Sequence, residues 1–265
     1  MGFISWIKSL KKPKRAKLGI ALGSGGAKGF AHLGVLRAFE ENGIEFQIVG
    51  GTSIGSIVGA FYADGYTSTD VFELIKKVEW TKIITGFMGG IDMSGLKKVI
   101  SSAIGDKKIE ELKKPFVAVA TEIETGDAKI FYDGDVSDAL CASASIPPYF
   151  KPVVIGDKRY VDGAFSDSIP AKHVRSLGAN YVVGVDLSTE ESSLLSKFIP
   201  TFTKKVEDPK MAGYENSDIM IHPDLKGYSS VSFNKAYEMY EIGYQSALKA
   251  IPSIISDLKE KKIKV

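Results

Sequence analysis

The first feature that could carry out chemistry is a serine between two glycines, because residues 51–55 read Gly-Thr-Ser-Ile-Gly. An apolar, strand-like segment precedes this run, and small residues suited to a closely packed helix follow it. Glycines on both sides of Ser53 permit a strained strand-to-helix turn that exposes the hydroxyl, as a nucleophile requires. The alternative is an ordinary glycine-serine turn, because the five-residue pattern is common. The strand-turn-helix context favours Ser53 as a nucleophile, with Gly51 and Gly55 shaping the turn.

A glycine-rich loop, Gly-Ser-Gly-Gly-Ala-Lys-Gly at residues 23–29, also follows a strand-like segment and opens a helix-like one. Glycine lets the backbone approach a ligand closely, and N–H groups at a helix start attract anions. A dinucleotide fingerprint would need a glycine where Lys28 stands, and a phosphate-binding P-loop would need Gly-Lys followed by Ser or Thr. The loop therefore indicates an anion or oxyanion site near residues 24–28, or simply a tight turn.

A nucleophilic serine needs a base, and the chain has only three histidines, His32, His173 and His222. The chain order of α/β hydrolases would single out His222, but it lies in a polar loop without a distinctive setting. Each histidine is better interpreted as structural or exposed. Asp162, which ends a strand-like segment and precedes Gly163, is a carboxylate that could take the serine proton directly. Local sequence alone favours a simple turn there, since Asp-Gly is a turn signal.

The scaffold that must position these motifs begins at residue 17, where strand-like and helix-like segments start to alternate. Near-continuous apolar strands separated by helices are typical of a mostly parallel sheet covered on both faces. We therefore predict an α/β fold, a three-layer α/β/α arrangement with a mostly parallel central sheet. The predicted strands are 17–22, 46–50, 115–121, 128–132, 158–162 and 180–186, and the predicted helices are 28–42, 54–65, 69–78, 95–104, 137–144, 170–177 and about 232–250. Residues 188–215 lack clear periodicity and are predicted to form a loop or mobile segment.

The three glycine-marked motifs, in this order, and the segment 142–153 resemble the patatin-like phospholipases in their compact bacterial form. The resemblance covers about residues 17–250 and implies a patatin-like fold with Ser53 as nucleophile and Asp162 as base. It also implies an oxyanion hole built from the backbone N–H groups of the glycine loop, namely those of Gly25, Gly26 and Ala27. Lys28 stands where family members carry Arg or Lys, and it would hold the loop or favour an anionic substrate. Ala164 departs mildly from the family's commoner Asp-Gly-Gly pattern.

The activity that this resemblance implies is hydrolysis of the acyl esters of phospholipids or lysophospholipids. Two alternatives stay open: an acyltransferase or thioesterase that uses the same serine, and a non-catalytic lipid-binding regulatory protein. No cofactor or metal is expected, because a single cysteine, Cys141, and scattered histidines offer no ligand cluster. A nucleotide-binding protein is the least favoured alternative, because both phosphate-loop patterns miss a required residue. No nucleic-acid partner is expected.

Composition and charge place the chain among globular proteins, with 44% hydrophobic and 25% charged residues in a chain of 265. This composition excludes intrinsic disorder, and a chain of this length is long enough for one large domain. The net charge of +2 is unevenly distributed, because residues 1–17 carry +6 and the remainder therefore −4. We predict a basic amphipathic tail over 1–16, a catalytic domain over 17–250 and a basic C-terminal tail over 251–265.

The N-terminal tail is too short for a membrane span, but Phe3, Trp6, Ile7 and Leu10 would share one face of a helix. With the basic run that follows, this pattern is typical of a segment lying in an anionic membrane surface. The alternatives are a helix docked on the protein's own core and a frayed terminus. We expect a cytoplasmic protein that binds peripherally to the inner face of the membrane through residues 1–17.

Residues 80–93 form an apolar segment punctuated by Gly86, Gly89 and Gly90, between two predicted helices. Glycines loosen a segment of this kind, so it is a candidate for part of an acyl-chain channel or a mobile lid. Ordinary core packing is the alternative.

Overall fold

The computed structural model describes residues 17–77, 90–189, 208–261 and 263. Its strands are β1 (Leu18–Leu22), β2 (Ile48–Thr52), β3 (Phe116–Glu122), β4 (Ala128–Phe131), β5 (Val153–Ile155), β6 (Lys158–Asp162), β7 (Tyr181–Val185) and β8 (Ile219–Ile221). Its α-helices are α1 (Phe30–Glu41), α2 (Ile54–Ala63), α3 (Ser68–Lys77), α4 (Ser94–Ile104), α5 (Val136–Ser143), α6 (Ala171–Ser176), α7 (Met211–Asn216) and α8 (Ala236–Glu260). Two short 3-10 turns, Gly26–Gly29 and Gly163–Phe165, matter for the site.

One mixed sheet contains all of these strands, in the order β5-β6-β3-β2-β1-β7-β8, with β4 also paired to β3. The centre, from β3 through β2, β1 and β7 to β8, is parallel. The pairings of β3 with β4, β3 with β6 and β5 with β6 are antiparallel. The predicted three-layer α/β/α fold with a mostly parallel sheet is therefore confirmed, and the sheet has an antiparallel end that the sequence did not indicate.

Helices cover both faces of the sheet, and alternate residues of each central strand point to opposite faces. In β1, Leu18, Ile20 and Leu22 join the larger core that includes buried residues of α1, α2 and α8. Ala21 joins the smaller core beneath α6, together with Val174. Helices α1 and α8 cross closely, since a Cβ at Gly34 of α1 would lie 1.9 Å from a backbone oxygen of α8. This crossing fixes α1, the helix that follows the glycine loop.

The register of β3 explains how two distant motifs meet. Val119 pairs with Thr52, the last residue of β2, while the next residue, Ala120, pairs with Asp162, the last residue of β6. Strand β4 pairs with both Val119 and Ala120, so it occupies one edge of β3 throughout. Strands β2 and β6 must therefore use the other edge in succession. The end of β6 thus lies directly beyond the end of β2, and β2 leads into Ser53.

The last helix departs from the sequence prediction, because α8 continues to Glu260 rather than ending near residue 250. Residues 251–260 therefore do not form a separate basic tail. Ile251, Ile254 and Leu258 are buried, so the apolar helical face continues past Pro252, a residue type that usually ends or kinks a helix. Part of the segment predicted as loop also forms helix α7, and strands β5 and β8 were not predicted.

Several other predictions lie outside the described residues. They include the N-terminal tail over 1–16, most of the proposed lid or channel and most of the loop over 188–215. Of the lid segment, Ile91 forms a β-bridge with Phe150, and Met93 is buried. The lid stays a prediction.

Candidate active site

Ser53 occupies the sharp turn between β2 and α2, and its backbone has φ 57° and ψ −127°. Among the described residues, it is the one non-glycine residue with positive φ. The flanking glycines are sterically required, because a Cβ at Gly51 would lie 2.1 Å from the Gly55 carbonyl oxygen, and one at Gly55 would lie 2.2 Å from that of Leu22. The chain thus holds Ser53 in a strained conformation that costs about 1–3 kcal/mol and that is concentrated at functional sites.

Hydrogen bonds from two neighbouring helices hold this turn in place. The Ser53 N–H donates to Ser143 Oγ on α5 at 2.9 Å. The Ser53 carbonyl accepts the hydroxyl of Ser56 at 2.6 Å, and also its N–H at 2.9 Å. Ser143 and Ser56 are both fully buried. These bonds fix the backbone of Ser53 without using its hydroxyl, which stays available for a reaction.

The Ser53 hydroxyl donates to Asp162 Oδ2 at 2.5 Å. The other carboxylate oxygen of Asp162 accepts the N–H of Ala164 at 2.9 Å, in the 3-10 turn that follows β6. Gly163 is needed there, because a Cβ at that position would lie 2.2 Å from the Val119 carbonyl oxygen. Ser53 is 8% exposed and Asp162 1% exposed, so the pair lies beneath the surface. The register of β3 thus brings together the two residues that the motifs indicated.

Burial raises the pKa of Asp162 to about 6, and the hydrogen bonds from Ser53 and Ala164 offset part of that rise. The carboxylate is therefore charged at neutral pH but is a stronger base than an exposed aspartate. A general base works best when its pKa lies near the operating pH. The geometry and the pKa together suit Asp162 to accept the Ser53 proton.

The glycine loop packs directly against this turn. A Cβ at Gly29 would lie 2.1 Å from the Ile54 side chain, and one at Gly55 would lie 2.6 Å from the Gly23 carbonyl oxygen. Gly26 has φ 58°, a left-handed conformation that glycine adopts without strain. The start and the end of the loop, at Gly23 and Gly29, therefore lie against the Ser53 turn.

Not every predicted oxyanion donor is available. The Ala27 N–H donates to the Ser230 carbonyl at 2.7 Å, so it is already engaged, contrary to the sequence prediction. The N–H groups of Gly25 and Gly26 have no hydrogen-bond partner among the described residues. Ser230 comes from a distant loop, and nothing local in the sequence could have indicated this contact. The structure thus narrows the candidate donors to two consecutive glycines.

Lys28 is 3% exposed, and its Nζ donates to Thr189 Oγ1 at 2.8 Å. The sequence left open whether this lysine holds the loop or binds an anionic substrate. Its burial and its bond to the segment after β7 favour the first alternative.

None of the three histidines, all of which are described, hydrogen-bonds to Ser53 or Asp162. His32 is fully buried and contacts the Gly23 carbonyl through Nε2 at 2.7 Å. Burial lowers the pKa of His32 to about 4. His173 contacts the Tyr132 hydroxyl, and His222 contacts that of Tyr214. The structure therefore gives no histidine base for Ser53.

The described ranges contain neither a candidate metal site nor a helix that could span a membrane. In residues 17–77, 90–189, 208–261 and 263, no group of three or more His, Cys, Asp or Glu side chains could hold a metal ion. Within the same ranges, every helix is too short or too polar to cross a bilayer.

The fold and the site together define a class: three-layer α/β proteins with a strained serine between strand and helix, next to a glycine-rich loop. The family model described as patatin-like phospholipase matches residues 20–175. The chain belongs to the patatin-like phospholipase family.

Relatives in this family are much longer than this chain. The mouse patatin-like phospholipase domain-containing protein 6 is 27% identical over 272 residues, which cover 86% of this chain and 20% of that protein. Lysophospholipase NTE1 of Candida glabrata is 27% identical over 270 residues, covering 85% of this chain and 15% of that protein. The chain thus spans about a fifth or less of the length of these relatives.

A solved structure shows a similar fold. VipD from Legionella pneumophila aligns with a TM-score of 0.59 and 14% sequence identity, covering 90% of this chain and 67% of that one. At this identity the similarity concerns the fold alone.

Proposed function

We propose that this chain is a lipid acyl hydrolase that cleaves the acyl esters of phospholipids or lysophospholipids with a Ser53–Asp162 dyad. The observation that carries the proposal is the 2.5 Å hydrogen bond from Ser53 Oγ to the buried carboxylate of Asp162. Membership in the patatin-like phospholipase family supports the substrate class. The name of the Candida glabrata relative, a lysophospholipase, supports it as well.

In the first half of the reaction, Ser53 Oγ attacks the acyl carbonyl carbon while Asp162 Oδ2 takes the hydroxyl proton. The carbonyl oxygen becomes an oxyanion, which the N–H groups of Gly25 and Gly26 bind. When the tetrahedral intermediate collapses, the ester C–O bond breaks and Asp162 returns the proton to the leaving alkoxide. The products are an acyl-Ser53 ester and the free alcohol.

In the second half, water attacks the acyl-Ser53 carbonyl and gives its proton to Asp162. The oxyanion forms again in the same place, and its collapse expels Ser53 Oγ, which recovers the proton. The free fatty acid leaves and the dyad is restored. One carboxylate thus acts as base and then acid in each half-reaction, which a pKa near 6 permits at neutral pH.

Replacing either member of the dyad tests this proposal. We expect Ser53→Ala and Asp162→Asn each to lower kcat for a soluble short-chain ester by at least about 10³-fold, with an unchanged circular dichroism spectrum. Matched controls are Ser176→Ala and Asp157→Asn, which change exposed residues of the same types and should keep full activity. Substantial turnover by folded Ser53→Ala or Asp162→Asn would overturn the dyad.

The substrate class is tested separately, by incubating wild type and Ser53→Ala with phospholipids and lysophospholipids and measuring free fatty acid by mass spectrometry. Release by wild type alone supports the proposal. Adding an acyl acceptor distinguishes a transferase, because acylated acceptor would then accumulate in place of fatty acid. Failure of a fluorophosphonate to label Ser53 would favour the non-catalytic alternative.

A further inference from the structure

Contacts with other parts of the chain hold the glycine loop on both sides of the Gly25 and Gly26 N–H groups, which have no hydrogen-bond partner among the described residues. On the first side, the Gly23–Ser24 peptide is fixed at both of its polar groups. Its carbonyl contacts His32 Nε2 at 2.7 Å, and its N–H donates to the Ser168 carbonyl at 3.1 Å. On the second side, the Ala27 N–H donates to Ser230. The N–H groups of Gly25 and Gly26 lie between these two fixed peptides.

The contact with the Gly23 carbonyl shows which ring nitrogen of His32 carries a hydrogen. A carbonyl oxygen can only accept a hydrogen bond, so Nε2 must carry the hydrogen. Since burial lowers the pKa of His32 to about 4, the ring is neutral at physiological pH and Nδ1 carries no hydrogen. His32 is therefore a fixed donor to the Gly23 carbonyl.

Packing alone does not explain a histidine at this place. His32 is fully buried, and its Nδ1 has no hydrogen-bond partner among the described residues. A buried polar atom without a partner is unfavourable, and an apolar side chain would fill the space without one. The bond from Nε2 to Gly23 is the feature that an apolar side chain could not provide.

We propose that His32 is a positioning residue for the reaction: by holding the Gly23 carbonyl, it keeps the Gly25 and Gly26 amides oriented toward the oxyanion. This inference rests on the proposed function, in which those amides bind the oxyanion. His32 itself does not touch the substrate or exchange a proton with it.

A loop of this composition needs such an anchor. Glycine peptides rotate more freely than others, because no Cβ restricts φ and ψ. Without the His32 bond, only the Ser24 N–H holds the Gly23–Ser24 peptide, so the peptide can tilt about that bond and shift the next two amides. The oxyanion exists only in the transition states and intermediates, so their misplacement lowers kcat and leaves ground-state binding largely unchanged.

The first test replaces the donor. We expect His32→Leu to lower kcat for a soluble short-chain ester by about 10- to 100-fold, with KM within about twofold of wild type. His32→Gln should keep kcat within about fivefold of wild type, because its terminal amide places an N–H near the position of Nε2. His222→Gln is the matched control, and it should leave kcat and KM unchanged.

The second test is the pH profile of His32→Gln. The acidic limb of kcat/KM should lie at the same pH as in wild type, because the titrating group in the proposed reaction is Asp162. A displaced or missing limb would show that His32 itself titrates in catalysis, and would overturn a purely positioning role.

The remaining outcomes are also decisive. Wild-type kcat in folded His32→Leu would overturn the inference, as would an equal loss in His32→Leu and His32→Gln. If His32→Leu does not fold, His32→Asn replaces it, because its amide is too short to reach the Gly23 carbonyl and should lose activity that His32→Gln keeps. Activity in Ser53→Ala would overturn the proposed function itself, whereas an inactive Ser53→Ala beside a fully active His32→Leu would overturn this inference alone.

Discussion

At the scale of single residues, the burial of Asp162 sets the pH range in which the proposed dyad can work. Burial favours the neutral carboxyl and raises its pKa to about 6. Below that pH the group is protonated and cannot accept the Ser53 proton. Above it the group is charged and acts as a base.

We therefore expect kcat/KM to rise through an acidic limb centred near pH 6 and to level off at higher pH, because the free enzyme must hold an ionised Asp162. A pH series with a short-chain ester measures the limb, and circular dichroism at each pH controls for acid unfolding. A limb near pH 4, in the range of an exposed aspartate, would contradict the effect of burial.

The residues that sequence could not indicate are those whose part in the site depends on tertiary contact alone. Ser53 has glycine neighbours that mark its turn, and it was predicted from that local pattern. At Asp162 the local pattern favoured a simple turn, and its role as base followed from the resemblance to the family. Ser143 accepts the Ser53 N–H from another helix, and although it lies in the segment 142–153 that resembles the family, nothing in that segment indicated this contact. At Ser230 the contact is a backbone carbonyl, which almost any residue could supply. The engagement of Ala27 was therefore not predictable.

At the scale of elements, the site exists because β2 and β6 pair in succession with the same edge of β3, so that their ends lie next to each other. This succession places the turn after β2 next to the turn after β6, and it requires glycine where the turns crowd other strands. Gly55 is such a position, because a Cβ there would lie 2.2 Å from the Leu22 carbonyl oxygen of β1.

We expect Gly55→Ala to destabilise the protein by several kcal/mol, since the clash is with backbone and α2 must move away from β1. Gly95→Ala is the matched control, because Gly95 lies in α4 and a Cβ there would have nothing within 4 Å. That change should stabilise by about 0.5–1 kcal/mol, the gain from replacing glycine by alanine in a helix. Urea denaturation of both variants measures the free energies of unfolding. Equal effects in the two variants would contradict the steric argument.

The sequence predicted the boundaries of helices and strands well where the apolar pattern was long. The prediction failed where that pattern was short or interrupted. The strands of the parallel centre were predicted apart from β8, and their near-continuous apolar runs are the reason. Strands β5 and β8 have three residues each, too few to show a period. For α8, the basic residues at the end of the chain suggested an end near residue 250, but the buried face continues through Leu258. Tertiary packing of that face outweighed the local signal.

At the scale of the whole molecule, charge is divided between the first residues and the remainder. Residues 1–17 carry +6 and the remainder −4, so the body alone would be repelled by an anionic bilayer. Basic residues near such a surface contribute about 1 kcal/mol each at moderate salt. We propose that residues 1–17 give the protein its affinity for an anionic lipid surface, with the apolar side chains of Phe3, Trp6, Ile7 and Leu10 inserted.

Deletion of residues 1–15 should therefore weaken binding to vesicles that contain anionic lipid, measured by co-sedimentation, while kcat for a soluble short-chain ester stays unchanged. Binding of the full chain should also weaken as salt increases, and it should be weak on zwitterionic vesicles. A variant with Trp6→Ala and Ile7→Ala keeps all charges and separates insertion from electrostatics, because only its apolar contribution is lost. Unchanged vesicle binding after the deletion would show that the tail does not bind lipid, and would locate any membrane contact on the acidic body.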